Sequence, residues 1–141
     1  MSKYEPSSET TLFGDVIFSY SRAQAIADGV LIDVSETARE AGFRWPVAMT
    51  DTAWQDCVAW SEADNAAQTY QDEPGRLWDV LTMAGFAIRR QRTSGQELRF
   101  ELTCVPRDGR ATRATTATLK LLIGPGDDGE PVMTILYPEE D

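Results

Sequence analysis

The sequence contains no histidine. This absence excludes Ser-His-Asp and Cys-His catalysis, and it also excludes a metal site with histidine ligands. The chain has only two cysteines, Cys57 and Cys104, which are too few for a zinc site. They lie within apolar helix and strand patterns, so we expect free, buried thiols in a reducing compartment, with a disulfide as the less favoured alternative. An enzyme built from this chain would have to rely on carboxylates, tyrosine or lysine.

Long hydrophobic runs are also absent. No apolar run approaches the roughly 18 residues that a membrane span needs, and the N-terminal segment MSKYEPSSETT is too polar for a secretory signal. A length of 141 residues and a hydrophobic fraction of 42% are typical of one globular domain. We therefore expect a cytoplasmic protein without membrane contact, which has a flexible tail at 1–12 and a single domain at 13–141.

Basic residues are scarce, because 13 of them oppose 23 acidic residues and leave a net charge of −10. Phosphate backbones repel such a chain as a whole, which argues against general nucleic-acid binding. The distribution of charge is uneven, however. A basic band with seven arginines covers residues 88–113, between acidic regions at 1–87 and 127–141.

Helical patterns fill the first two thirds of the chain. Ser21 or Ser19 is predicted to cap a short helix, and the run VLIDV at 30–34 predicts a short buried strand. Ser35 is predicted to cap the next helix, and Asp33 lies beside its start, where the helix dipole favours a carboxylate. We therefore interpret Asp33 as a helix-entry residue rather than a catalytic one.

Two further helices are predicted before the pattern changes. Thr50 caps the first, whose sequence is DTAWQDCVAWSEA (51–63). Pro74 is predicted to take the first position of the second, which should run to about Arg90. This second helix has one continuous apolar face, which consists of Leu77, Trp78, Leu81, Ala84, Gly85 and Ile88.

The last third of the chain has the hydrophobic period of strands. Residues 98–104 and 115–123 alternate between apolar and polar side chains, and each predicts a half-buried strand. The pair Asp108-Gly109 predicts a tight turn between them, and VMTILY after GPGDDGEP predicts a third strand. We therefore expect an α+β fold in which N-terminal helices with one short strand pack on a C-terminal three-stranded antiparallel meander.

Three motifs resemble ligand sites but are better interpreted as turns and helix starts. GPGDDG (124–129) matches the glycine spacing of nucleotide-binding loops, but a strand follows instead of a helix and its acids would repel phosphate. A calcium site at Asp127, Asp128 and Glu130 lacks a recognised loop spacing. Residues 71–73 have the Q-x-E form of ADP-ribosyltransferases without the other motifs of that family. We expect no cofactor and no metal, and we assign no catalytic residue.

Two sets of residues are the candidate binding sites. Trp60 belongs to the first set because it lies off the apolar stripe of its helix and acids follow it, although partial burial explains it equally well. The arginines near the Asp108-Gly109 turn either form a solvated hairpin or bind an acidic partner or a phosphate. The acidic set is Asp127, Asp128, Glu130, Glu139, Glu140, Trp60, Glu62 and Asp64, and the alternative basic set is Arg107, Arg110 and Arg113.

Three segments together carry a resemblance over nearly the whole chain from Phe13. They are FGDVIFSYSRAQAIADGVLIDVSETAREAGFRWPVAMT, YQDEPGRLWDVL and GPGDDGEPVMTILYPEED. They resemble a bacterial family of unknown function that is carried mainly on plasmids, integrative elements and phage-like islands. The resemblance carries no known catalytic residue. It implies a setting in which small acidic proteins often serve plasmid upkeep or counter host defence.

From the charge and the resemblance we expect a non-enzymatic binding protein of a mobile genetic element. An acidic surface can imitate DNA phosphates, so the protein would inhibit host anti-DNA machinery in the manner of anti-CRISPR or anti-restriction proteins. The expected partner is a host protein, such as a basic nucleic-acid-binding complex, rather than nucleic acid itself. The alternatives are a nucleic-acid-associated plasmid accessory protein that uses the arginine-rich hairpin, and a small histidine-free enzyme acting on a nucleotide.

Overall fold

The computed structural model describes residues 20–91 and 95–140. The predicted tail at 1–12, the start of the predicted domain at 13–19 with its alternative cap Ser19, and Arg92 of the basic band lie outside these residues. The described residues form an α+β fold with five helices and a five-stranded mixed sheet. No helix among them is long and apolar enough to cross a membrane.

The helices and strands follow one another along the chain in a mixed order. The helices are α1 (Arg22–Ala27), α2 (Ser35–Glu40), α3 (Asp51–Cys57), α4 (Glu62–Ala67) and α5 (Glu73–Arg90). The strands are β1 (Leu31–Asp33), β2 (Val47–Thr50), β3 (Glu97–Cys104), β4 (Thr115–Pro125) and β5 (Pro131–Leu136). In the sheet their order is β1-β2-β5-β4-β3, and β2 and β5 are the one parallel pair within it.

The predicted antiparallel meander is present as β3, β4 and β5, but it is only part of the sheet. On the far side of β5 lies β2, and β1 pairs with β2 to complete the other edge. The prediction missed β2 because VAMT (47–50) is short and its apolar residues do not alternate with polar ones. The strand predicted at 30–34 is β1, which is a half-buried edge strand rather than a buried one.

The starts of the helices confirm two of the three predicted caps. Ser21 and Thr50 each accept a hydrogen bond at the side-chain oxygen from the backbone N–H three residues ahead. Ser35 instead is the first residue of α2, and Val34 is the cap. Asp33 does lie at the helix entry, since its carboxylate accepts hydrogen bonds from the Ser35 N–H at 3.0 Å and from the Ser35 hydroxyl at 2.6 Å.

Helix α5 supplies much of the core that faces the sheet. It ends at Arg90, as predicted, and Leu77, Leu81 and Ala84 are buried. Trp78 is 43% exposed, so the predicted inner face is wrong at this position. Val80 occupies the inner position instead, because its helical phase is closer to that of Leu77 and Ala84. The opposing sheet contributes the fully buried residues Leu119, Leu121 and Ile135.

Candidate functional site

The turn between β4 and β5, here called the acidic turn, contains Asp127, Asp128 and Glu130. Asp127 accepts hydrogen bonds from the backbone N–H groups of Arg22 at 2.7 Å and Ala23 at 3.0 Å. These N–H groups begin α1 and have no partner inside the helix. The two hydrogen bonds, first the one from Arg22, lower the pKa of Asp127. Asp127 therefore fastens α1 to the sheet as a permanent anion.

The other two residues of the acidic turn differ in whether their carboxylates form a hydrogen bond within the turn. Glu130 accepts a hydrogen bond from the Asp128 N–H at 3.0 Å, which shapes the turn. The Asp128 carboxylate is exposed and has no hydrogen bond or ion pair within the described part of the chain. Asp128 is therefore the member of the turn that is best placed to contact another molecule.

The acidic turn lies near one arginine that forms no ion pair with it. The guanidinium of Arg22 donates to the Met133 carbonyl at 2.7 Å and to the Thr134 hydroxyl at 2.8 Å, rather than to a carboxylate. Burial lowers the pKa of Arg22, and the nearby charges of Asp33, Asp127 and Glu130 oppose that shift. The carboxylates of the turn are therefore attracted by one guanidinium at a distance and have no direct ion pair with it.

A second acidic group follows β5 at its other end. Glu140 accepts hydrogen bonds from the Thr50 hydroxyl at 2.9 Å and from the Tyr137 N–H at 2.7 Å, so it holds the segment after β5 against the start of α3. Glu139 is exposed and makes no such contact with the described residues. The six residues of β5 separate the two acidic groups by roughly 20 Å.

The third acidic part of the candidate set is only partly at the surface. The helix predicted at 51–63 is broken after α3, and Ser61 and Asp64 form the capping box that starts α4. Trp60 lies in this break and is only 6% exposed, so it is a core residue rather than an exposed anchor. Its indole N–H donates to the Asn65 side chain at 2.8 Å. Glu62 is exposed on the first turn of α4.

The structure brings members of the acidic and basic candidate sets together. Arg107 forms an ion pair with Asp64 at 2.8 Å and also donates to the Gln55 side chain at 3.0 Å. Arg110 and Arg113 are exposed. The predicted turn at 108–109 is present, but it belongs to a longer connection at 105–114 rather than to a tight hairpin.

A buried arginine that the sequence analysis missed organises the neighbourhood of Trp60. Arg76 is only 3% exposed, and its guanidinium lies 4.5 Å from the centre of the Trp60 ring. It donates to the backbone carbonyls of Val58 at 3.0 Å, Val105 at 3.0 Å and Asp56 at 3.1 Å. Arginines on amphipathic helices are usually exposed. The one signal in the sequence is its helical phase, four residues before an inner position of α5.

The two cysteines lie next to the carbonyls that Arg76 holds. Both are free, as predicted, but only Cys57 is fully buried. The two thiols are close enough to affect each other's ionisation. The Cys57 thiol, aided by the positive charge of Arg76, lowers the pKa of Cys104 to about 7, and the Cys104 thiol together with burial raises the pKa of Cys57. The pair therefore has one accessible, acidic thiol and one inert thiol.

We expect Cys104 to react with iodoacetamide much faster than Cys57 in the folded protein, since the thiolate is the nucleophile. The rate should rise through about pH 7, where the Cys104 thiol ionises, instead of about pH 8.5 as for an exposed cysteine. In C57A the midpoint should move upward, because the neighbouring thiol that favours the Cys104 thiolate is removed. Mass spectrometry of labelled peptides measures both rates, and equal rates at the two cysteines would contradict the assignment.

Among residues 20–91 and 95–140, no group of three or more His, Cys, Asp or Glu side chains is placed to hold a metal ion.

One of the comparisons with known proteins identifies the family of this chain. No curated protein and no solved structure gives a significant match to the chain. A family model described as a family of unknown function (DUF6573) matches residues 10–141. The chain therefore belongs to this family of unknown function.

Proposed function

We propose that this protein is a non-enzymatic binding protein that places acidic side chains in a basic site of another protein. The observation that carries the proposal is that few of the acidic side chains form an ion pair within the protein. Within the described residues only two ion pairs occur, Arg99–Glu97 at 4.0 Å and Arg107–Asp64 at 2.8 Å. Surface charge that is left unpaired attracts a partner of opposite charge at long range and speeds association.

The contact surface of this proposal lies at the two ends of β5. Asp128 and Glu139 extend there without an internal hydrogen bond among the described residues, so a partner can bind them without breaking one. Asp127 and Glu140, beside them, are fixed to α1 and to Thr50. Because these contacts hold the backbone, only the side chains of Asp128 and Glu139 have to be ordered when a partner binds, which favours affinity.

The chemistry of this surface suggests the class of partner. Carboxylates that project from a held backbone can imitate the phosphates of DNA, so the basic channel of a host nuclease or DNA-targeting complex would accept them. The resemblance to proteins of plasmids and phage-like islands supports this choice, because such elements must survive host anti-DNA machinery. The protein would then act in the cytoplasm as an anti-CRISPR or anti-restriction inhibitor.

Nucleic-acid binding through the 105–114 connection is the second candidate function. The exposure of Arg110 and Arg113 favours it. Arg107 is less suitable than predicted, because its guanidinium already binds Asp64 and Gln55. A phosphate ligand would also have to approach a chain with a net charge of −10. We therefore place this function second.

The double variant D128K/E139K should bind the partner about tenfold more weakly, equivalent to roughly 1.4 kcal/mol. The measurement is a competition assay. Basic proteins from a bacterial host extract are first collected on a DNA column. The assay then measures how much of the purified protein is needed to displace duplex DNA from them. The matched control is E36K/E40K, which changes the net charge equally at two exposed positions of α2.

Two outcomes would contradict the proposal. If both double variants weaken competition equally, net charge alone matters and the ends of β5 are not the contact surface. If the wild type binds duplex DNA tightly at physiological salt, and R110A/R113A abolishes this binding, the second candidate function is correct. In that case each lost phosphate contact should reduce the salt slope by about one unit.

A further inference from the structure

Strand β3 is an edge strand, and its outer side pairs with no other strand of the described residues. The Ile123 N–H donates to the Gln96 carbonyl at 2.8 Å, so these two residues form a hydrogen-bonded pair at the start of the ladder. Such pairs alternate along antiparallel strands. Even-numbered residues of β3 therefore bond to β4. The residues whose N–H and C=O groups point outward are Glu97, Arg99, Glu101 and Thr103.

The outward residues are complementary to a second copy of themselves. When two β3 strands run antiparallel with Phe100 opposite Phe100, Arg99 faces the partner's Glu101. Glu97 then faces the partner's Thr103, and every free backbone group meets another free group. A register shifted by one residue would place the free backbone groups of one β3 strand opposite groups of the other β3 strand that already bond to β4. A shift by two residues would oppose Arg99 to Arg99 or Glu101 to Glu101, and like charges directly opposite are unfavourable.

The surroundings of Arg99 favour an additional carboxylate. The nearest carboxylate within the described residues is that of Glu97, which is 4.0 Å away, and the Arg99 side chain is 64% exposed. Its neighbour on β4 is Lys120, whose ammonium group donates to the Pro138 carbonyl at 3.0 Å and offers Arg99 no carboxylate. The partner's Glu101 would lie on the open side of Arg99 and form the opposite-charge pair that β4 does not supply.

A groove of about 860 Å³ between the edge of β3 and α5 has the same two-fold complementarity. Asp79 lines this groove together with Leu102 and Thr103 near the end of β3. Arg90 ends α5 and is joined to the start of β3 by a short connection. A two-fold axis through Phe100 therefore brings Asp79 toward the partner's Arg90. Between these charges the groove is lined by the apolar side chains of Met83, Ala87, Phe100 and Leu102.

We propose that the protein forms a symmetric dimer in which two β3 strands pair antiparallel about Phe100. The pairing joins the two five-stranded sheets into one and places the two α5 helices side by side over the junction. It also protects an eight-residue edge that would otherwise be free to pair with unrelated strands. The opposite edge is β1, which has only three residues and is a poorer template.

Charge exchange tests the dimer. Sedimentation equilibrium of the wild type should give about 31 kDa, twice the 15.6 kDa of one chain. R99E brings carboxylates together in both symmetry-related pairs, and E101R brings guanidinium groups together. Each single variant should weaken the dimer about tenfold. An equal mixture of the two should recover wild-type affinity, because each mixed pair again joins opposite charges.

The recovery in the mixture is decisive, since a variant that fails to fold cannot be rescued in this way. R113E is the matched control: it makes the same charge change at an exposed arginine outside the groove and should leave the dimer intact. A wild type that remains a monomer at high micromolar concentration overturns the proposal. A dimer that tolerates both R99E and E101R also overturns it, because its interface would lie elsewhere.

Discussion

Replacement of Leu81 by alanine should lower the free energy of unfolding by about 2–5 kcal/mol. Leu81 is fully buried near the middle of α5, where it belongs to the core cluster shared with the sheet. The substitution removes apolar contacts and leaves a cavity. The cavity should persist because the same core cluster includes Leu119 and Leu121 of β4, a strand that is hydrogen-bonded on both sides and cannot easily move to fill it.

Trp78 provides the comparison on the same helix. Its side chain is larger than that of Leu81, but much of it is exposed to solvent. W78A should therefore cost less than L81A, although more atoms are removed. Urea denaturation followed by circular dichroism measures both losses. A loss at Trp78 that equals or exceeds the loss at Leu81 would mean that the inner face of α5 is assigned incorrectly.

Replacement of Arg76 by alanine should cost about 3–5 kcal/mol, because hydrogen bonds from a charged donor contribute about 1.5–3 kcal/mol each and three are lost, while removal of the buried charge offsets part of that loss. Three backbone carbonyls would lose their donors, and each unsatisfied buried acceptor is unfavourable by about 1–3 kcal/mol before water enters. Trp60 would also lose the guanidinium that stacks on its ring. R76K should fall between the wild type and R76A, because one ammonium cannot reproduce the planar fork of donors.

R113A is the control for Arg76. The Arg113 side chain is exposed and forms no ion pair among the described residues, so this substitution should change stability by less than about 0.5 kcal/mol. Thermal and urea unfolding of R76A, R76K and R113A under the same conditions gives the three values. If R76A were no less stable than R113A, the three carbonyl contacts would contribute nothing to the fold.

Local patterns were enough to predict much of the secondary structure. The period-two alternation located β3 and β4, and the apolar stripe located α5, because both patterns arise within a single segment. The place of β2 could not be predicted in this way. Its neighbour β5 is distant in the sequence, with Val47 paired to Met133, and a four-residue strand has too few side chains to reveal a period.

The candidate site was predictable as a list of charged residues but not as a surface. The sequence does not reveal which charged side chains form hydrogen bonds or ion pairs within the fold. The partner of Asp127 at the start of α1 is 105 residues away, and Arg107 and Asp64 come from different candidate sets. Asp128 and Glu139 stand out only once these internal contacts are known. Arg76 was missed for the opposite reason, since its charge suggested exposure.

The parallel pair of β2 and β5 has a consequence for a chain that is still being synthesised. Strands β1 and β2 join the sheet only through β5, and Asp127, just before β5, is needed to hold α1. Residues 22–50 therefore cannot reach their final positions until residue 136 has been synthesised. Until then β2 remains unpaired on one side, and contacts between such distant segments form slowly. The pairing of β2 with β5 is thus a late step in the folding of a newly made chain.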